Sequence, residues 1–166
     1  MVRKIIKLGD ETLRKISKPM QKFDLRLWLL LRDMADTMYK ADGVGLAAPQ
    51  VGILRRAVVI DVGDGLVELV NPVIVESDGQ QSGPEGCLSI PGRSGVVTRP
   101  NHVKVQAQDA DGNAIELEAQ EFFARAVCHE LDHLDGVLYV DKMDREILEG
   151  DEEYEPVDGD EEEDGE

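Results

Sequence analysis

Between about Ala119 and Leu134 the sequence reads as a helix with almost no polar side, because Phe122, Phe123, Ala126, Val127, Cys128 and Leu131 fall on every flank of it. A helix of that kind is stable only in an interior, so the remainder of the chain must wrap around it. The same stretch carries His129-Glu130-Leu131-Asp132-His133. Residues four apart share one face of a helix, so both imidazoles can point at a single ion, and Glu130 beside them lies within reach of a water on that ion. Two helix histidines satisfied by hydrogen bonds would be the plainer account. A carboxylate buried without a partner is costly, however, and Glu130 on an apolar helix therefore argues for a metal-dependent hydrolase.

The wrapping material is legible in part. Asp24 can cap a second long helix running to about Lys40, on which Leu27, Leu31, Met34, Ala35 and Met38 recur at helical spacing. From Arg56 to about Glu118 the pattern turns to short buried runs or alternation: Ala57 to Ile60, Leu66 to Val70, Val73 to Val75, Gly95 to Thr98, Val103 to Gln108 and Ala114 to Leu117. Asp111-Gly112 between the last two signals a hairpin, and no helical pattern intervenes, which favours antiparallel pairing. The expected fold class is α+β, with antiparallel β-sheets wrapped around a central buried helix that carries the His-Glu-x-x-His motif, plus the long helix of the N-terminal half.

The formal net charge of −17 over 166 residues resolves along the chain, since residues 151–166 hold eleven acids and no Lys or Arg, leaving −6 for residues 1–150. The expected organisation is one catalytic domain over 1–150 followed by an acidic, disordered tail over 151–166, which lacks the apolar surface to offset its ordering entropy. No apolar region follows the first basic residues, and no stretch approaches the length of a membrane span. A cytoplasmic protein with no membrane partner is expected, and its two cysteines are then ligands or packing residues before they are a disulfide.

A catalytic metal needs a third protein ligand. Tyr139 stands where the long metzincin motif requires a third histidine. Glu146 and Glu149 lie near a thermolysin-like spacing, but in a charged, solvated stretch. Cys87 is the better candidate, because the glycines and prolines of Pro84-Glu85-Gly86-Cys87-Leu88-Ser89-Ile90-Pro91-Gly92 fix an irregular turn from which a thiolate can project. Cys128, next to His129, points away around the helix and suits packing. The loop Gly43-Val44-Gly45-Leu46-Ala47-Ala48-Pro49-Gln50 has small residues that permit close approach by a ligand. It also fits a dinucleotide G-x-G-x-x-A pattern, which fails here because the loop follows a helix and meets Pro49.

Taken together, the Gly43–Gln50 loop, Glu85-Gly86-Cys87-Leu88-Ser89 and His129-Glu130-Leu131-Asp132-His133-Leu134-Asp135-Gly136 resemble the peptide deformylases, in order and in rough spacing, from Ile5 through Met143. The resemblance implies an enzyme of protein biosynthesis that removes the formyl group from the N-terminal formylmethionine of nascent polypeptides and releases formate. It implies Cys87, His129 and His133 as ligands of one divalent metal, generally ferrous iron with zinc or nickel accepted, and Glu130 as general base and acid. It further implies the Gln50 amide and the Leu88 backbone N–H as donors to the developing oxyanion, and Val44, Gly45 and Gly86 as partners of an extended substrate backbone. Val44, Phe122 and Ala126 are the expected wall of a methionine pocket. Gly83-Pro84 departs from the acidic or larger residues of many relatives. Some members carry a basic C-terminal extension suited to ribosomal contact, whereas an acidic run is repelled by RNA. Proximity to the ribosome is thus expected without a docking tail, and no sequence-specific nucleic acid is expected as a partner. A zinc endopeptidase would share the helix motif but have little need of Cys87, and a non-catalytic binding module would have no need to keep Glu130 and Gln50.

Overall fold

The computed structural model describes residues 1–148 and 151. Asp24 closes the start of α1 (Leu25–Lys40), its carboxylate accepting from the Arg26 and Leu27 N–H groups. Strands β1 (Gly45–Ala47), β2 (Ala57–Ile60), β3 (Val67–Asp78), β6 (His102–Gln108) and β7 (Ala114–Gln120) form one antiparallel sheet in the order β1-β2-β3-β6-β7. A second antiparallel sheet has the order β4 (Gln81–Cys87), β5 (Ile90–Arg99), β8 (Arg145–Glu146). Between the sheets runs α2 (Glu121–Leu134), and a short α3 (Tyr139–Lys142) follows it.

Strand β2 shows why both its faces are apolar. Ala57 and Val59 pack with Leu27, Leu31, Met34 and Met38 of α1, while Val58 and Ile60 pack with Val127, Leu131 and Leu134 of α2. Side chains alternate across a strand, so a strand covered on both sides must be apolar at every position. The second sheet meets the opposite side of α2 through a polar seam. Arg125 of α2 donates to the Gly83 and Val97 carbonyls and to Glu85, and Arg99 of β5 pairs with Asp132 of α2. The expected architecture of sheets around a buried motif helix is the one observed.

Four boundaries differ from expectation, each for a physical reason. The motif helix starts at Glu121 because Ala119 and Gln120 still pair with Val103 and His102 in the ladder. The two runs expected around Asn71 form the single strand β3, bent where Asn71 takes φ 52° and ties its side chain to Met20. The segment read as an irregular turn around Cys87 is the end of β4, with a register shift between Glu85 and Cys87. Pro84 is tolerated because β4 is an edge strand. Part of the glycine-rich loop is β1, also an edge strand. The Asp111-Gly112 hairpin is present, with Gly112 at φ 88°. The acidic run expected from residue 151 lies outside the described residues except for Asp151, which pairs with Arg145.

Candidate metal centre and cleft

One edge strand of each sheet, β1 and β4, meets the other at one place. A cavity of about 420 Å³ is bounded by Gly45 of β1 with Val44 before it, by Glu85, Gly86 and Cys87 of β4 with Leu88 after it, and by Phe122, Arg125, Ala126, His129 and Glu130 of α2. Helical spacing accounts for the last set, since positions 122, 126, 129 and 130 share a face. Val44, Phe122 and Ala126 all line the cavity, as expected of a pocket wall.

Cys87, His129 and His133 offer one ligand atom each, and these atoms lie within 4.8 Å of one another. Cys87 Sγ is 3.4 Å from His133 Nε2. Two ligand atoms bound at ~2.1–2.3 Å to one tetrahedral ion stand about 3.6 Å apart, so the donor set fits a divalent ion of the zinc or iron type. His129 Nδ1 lies 2.9 Å from Glu85 Oε1, which leaves Nε2 turned toward the thiol. The Tyr139 ring stacks on His129 with centroids 6.1 Å apart. The position that excluded a third histidine thus supports a ligand by packing. Cys128 is buried and faces a different cavity, behind α2, and Glu146 is engaged with Arg93. Glu149 lies outside the described residues.

Electrostatics separates the groups by task. Burial pushes the Glu130 carboxyl up to about 7, and no hydrogen-bond partner meets its Oε1 among the described residues. Burial also pushes His133 well below the usual imidazole range and so keeps it neutral, as a ligand must be. At His129 burial acts in the same sense but is outweighed by hydrogen bonding to Cys87 and Glu85, which raises it well above that range. Glu85 is buried too, yet Arg99 and His129 hold its carboxyl down at about 2. Burial raises the Cys128 thiol, which suits an inert packing residue.

Gln50 sits on the 3₁₀ turn Ala48–Val51. Its Oε1 accepts from the Ala47 N–H at 2.9 Å, so the amide nitrogen is turned toward the site, 3.1 Å from Ser89 Oγ and 3.5 Å from Cys87 Sγ. Leu88 lies in the turn where the ladder passes from Cys87 to Ile90, outside the strand pairing. Space is tight on the glycine side. A Cβ on Gly45 would strike the Glu130 carboxylate, and one on Gly43 would come within 2.7 Å of Leu88 Cδ1. The expected residues therefore converge. Glu85, Arg99, Arg125 and Ser89 were not singled out by sequence, although Glu85 and Ser89 bracket Cys87 in the Glu85-Gly86-Cys87-Leu88-Ser89 motif.

A family model described as polypeptide deformylase matches residues 2–147. A peptide deformylase of Caldanaerobacter subterraneus subsp. tengcongensis is 58% identical, the match covering 90% of this chain and 96% of that one. The crystal structure of the Thermotoga maritima peptide deformylase superposes with a TM-score of 0.85 at 44% identity, over 86% of this chain and 98% of that one. A Met-Ala-Ser-bound class I type b peptide deformylase of Acinetobacter baumannii superposes with a TM-score of 0.82 at 34% identity, over 86% and 99% of the two chains.

Proposed function

The chain belongs to the polypeptide deformylase family, a metal-dependent hydrolase that removes the N-formyl group from nascent peptides, and from that premise we propose how its residues divide the work. Cys87, His129 and His133 hold the metal, with ferrous iron as the first choice and zinc or nickel as alternatives, because one thiolate and two imidazoles suit all three. Bound there, the ion would supply Lewis acidity, lowering the pKa of water and polarising the formyl carbonyl.

Glu130 is the proton carrier. Its carboxyl, held near neutrality by burial, takes a proton from the attacking water and gives it to the departing amine, which leaves as the free N-terminus of the peptide while formate is released. The Gln50 Nε2 and Leu88 N–H groups donate to the formyl oxygen as it becomes negative, and such a donor contributes roughly 3–4 kcal/mol. The substrate backbone lies extended between the edges of β1 and β4, pairing with Val44, Gly45 and Gly86, since a free strand edge presents unpaired backbone groups. Its first side chain enters the cavity beside Val44, Phe122 and Ala126.

Residues 1–150 form the catalytic unit. No proposed ligand or donor falls in 151–166. The working partners are formyl-Met nascent chains in the cytoplasm, near the ribosome but without a basic docking tail, and neither a specific nucleic acid nor a membrane. No helix among the described residues is long and apolar enough to cross a membrane. The reading rests on the convergence of three ligand atoms beside a buried carboxylate whose Oε1 has no partner among the described residues, in a cavity that opens between two free strand edges. Formate release from a formyl-Met peptide by anaerobically loaded protein tests it. Turnover is expected in the wild type and abolished in Glu130→Ala, and absence of formate with iron, nickel and zinc alike overturns the reading.

A further inference from the structure

Arg99 and Asp132 are charged groups beside the site that none of these steps uses. Glu85 Oε1 accepts from His129 Nδ1, and the same carboxylate is gripped by Arg99 through Nε to Oε2 and Nη2 to Oε1, both at 2.9 Å. The remaining arm of the guanidinium, Nη1, donates to Asp132 Oδ2 at 2.7 Å. One buried cation of β5 therefore joins a carboxylate of β4 to a carboxylate of α2 that lies three residues beyond His129. The Arg99 side chain is only 3% exposed and lines the cavity behind α2, not the cavity that holds the substrate-facing residues.

We propose that Arg99 is a positioning residue for the Cys87, His129 and His133 site, acting through Glu85 on the His129 ring and through Asp132 on the helix that carries both histidines. The inference rests on the metal-site reading above. An imidazole that gives its Nδ1 proton to a fixed acceptor presents its Nε2 lone pair in one direction, and such outer partners set ligand orientation. His133 has no such fixture, since its Nδ1 meets no partner among the described residues. The aim of the site is thus set mainly at His129, and through Glu85 at Arg99. Arg125 also binds Glu85, with Nη1 2.6 Å from Oε2, so charge balance survives loss of Arg99 while the tie to Asp132 does not. A lysine has a single ammonium and cannot reproduce a planar fork directed at two carboxylates.

The test is competition of cobalt-loaded protein with a chelator, together with the cobalt–thiolate absorption spectrum, in wild type, Arg99→Met, Arg99→Lys and Asp132→Asn. Arg99→Met is expected to weaken cobalt binding by roughly 10–100-fold and to shift the spectrum. Arg99→Lys should fail to restore either. Asp132→Asn, which leaves an oxygen for Arg99 but removes the charge of that arm and of the Lys142 ion pair, should weaken binding less. In turnover the loss should fall on kcat, with KM for a formyl peptide unchanged. Wild-type affinity and spectrum in Arg99→Lys, or a loss confined to KM, overturns the proposal. If Arg99→Met does not fold, Arg99→Lys and Asp132→Asn decide by the same readouts. Wild-type protein that binds cobalt but releases no formate overturns the function reading and leaves the positioning claim to be judged on affinity and spectrum.

Discussion

At position 45 only a hydrogen atom fits between the backbone of β1 and the carboxylate of Glu130. A Cβ there would overlap that carboxylate, and either Glu130 turns away or β1 is pushed from β2. The three atoms nearest the added methyl all belong to Glu130 and none to a ligand residue, so Gly45→Ala should keep its metal while kcat falls by about 10²-fold, the cost of an ångström's misplacement of a catalytic group. Metal content and kcat measured on the same preparation check this, and a wild-type kcat would show that the carboxylate is not confined as described. Gly45 was legible as a site of close approach, but its steric partner was not, because Glu130 lies 85 residues away in sequence. The two cysteines were separable from their flanks alone. Glu85 was not recognisable as a buried ion-pair residue, because within a Gly-Pro stretch it reads as a turn residue and its partners Arg99, Arg125 and His129 lie on other elements.

At the scale of elements, the helices and the Val-rich strands were legible because periodicity records burial directly. β1 and β4 were not, since each is an edge strand of low β propensity, β1 reading Gly-Leu-Ala and β4 Gln-Ser-Gly-Pro-Glu-Gly-Cys, and pairing with one neighbour alone supports them. Both weak strands border the cavity, as does the start of β5. A different tie joins three neighbouring strands of the large sheet. His102 of β6 bonds Glu118 of β7 at 2.7 Å and Asp78 of β3 at 3.1 Å. Hydrogen bonds first to Glu118 and then to Asp78 raise the imidazole above its ordinary value of 6.5. A pKa higher in the folded than in the unfolded state gives stability that is complete below about 6.5 and lost as pH rises through the folded value. The midpoint difference between wild type and His102→Gln in denaturant should therefore shrink on going from about pH 6 to pH 9. A difference that is constant, or grows with pH, would mean that the imidazolium is not what joins these strands. The two other histidines and Glu130 are common to both proteins, so their titration cancels in the comparison.

Over the whole molecule, the α+β class and the interior motif helix followed from patterning, whereas the division into two sheets did not. Nothing local tells β3 to pair with β6 while β4 and β5 leave for the other side of α2. That division has a consequence for stability. Cys87 belongs to the second sheet and both histidines to α2, so an ion held by all three joins the two bodies across the cavity, beside the Arg99–Glu85–Arg125 seam and the small cluster of Leu13, Ile90, Val97, Leu138 and Tyr139. A ligand that binds only the folded chain stabilises it by about 2.7 kcal/mol at a free concentration one hundred times its dissociation constant. For a chain of this length that corresponds to a Tm lowered by roughly 5–10 °C on removing the metal. The loss should be uneven. Amides of β4 and β5 should lose hydrogen-exchange protection on chelation, while those of the β2, β3 and β6 ladder, which packs on α2 and carries none of the three ligands, should keep theirs. Equal loss in both sheets would mean that the ion supports the fold as a whole and is not a tie between the second sheet and the helix.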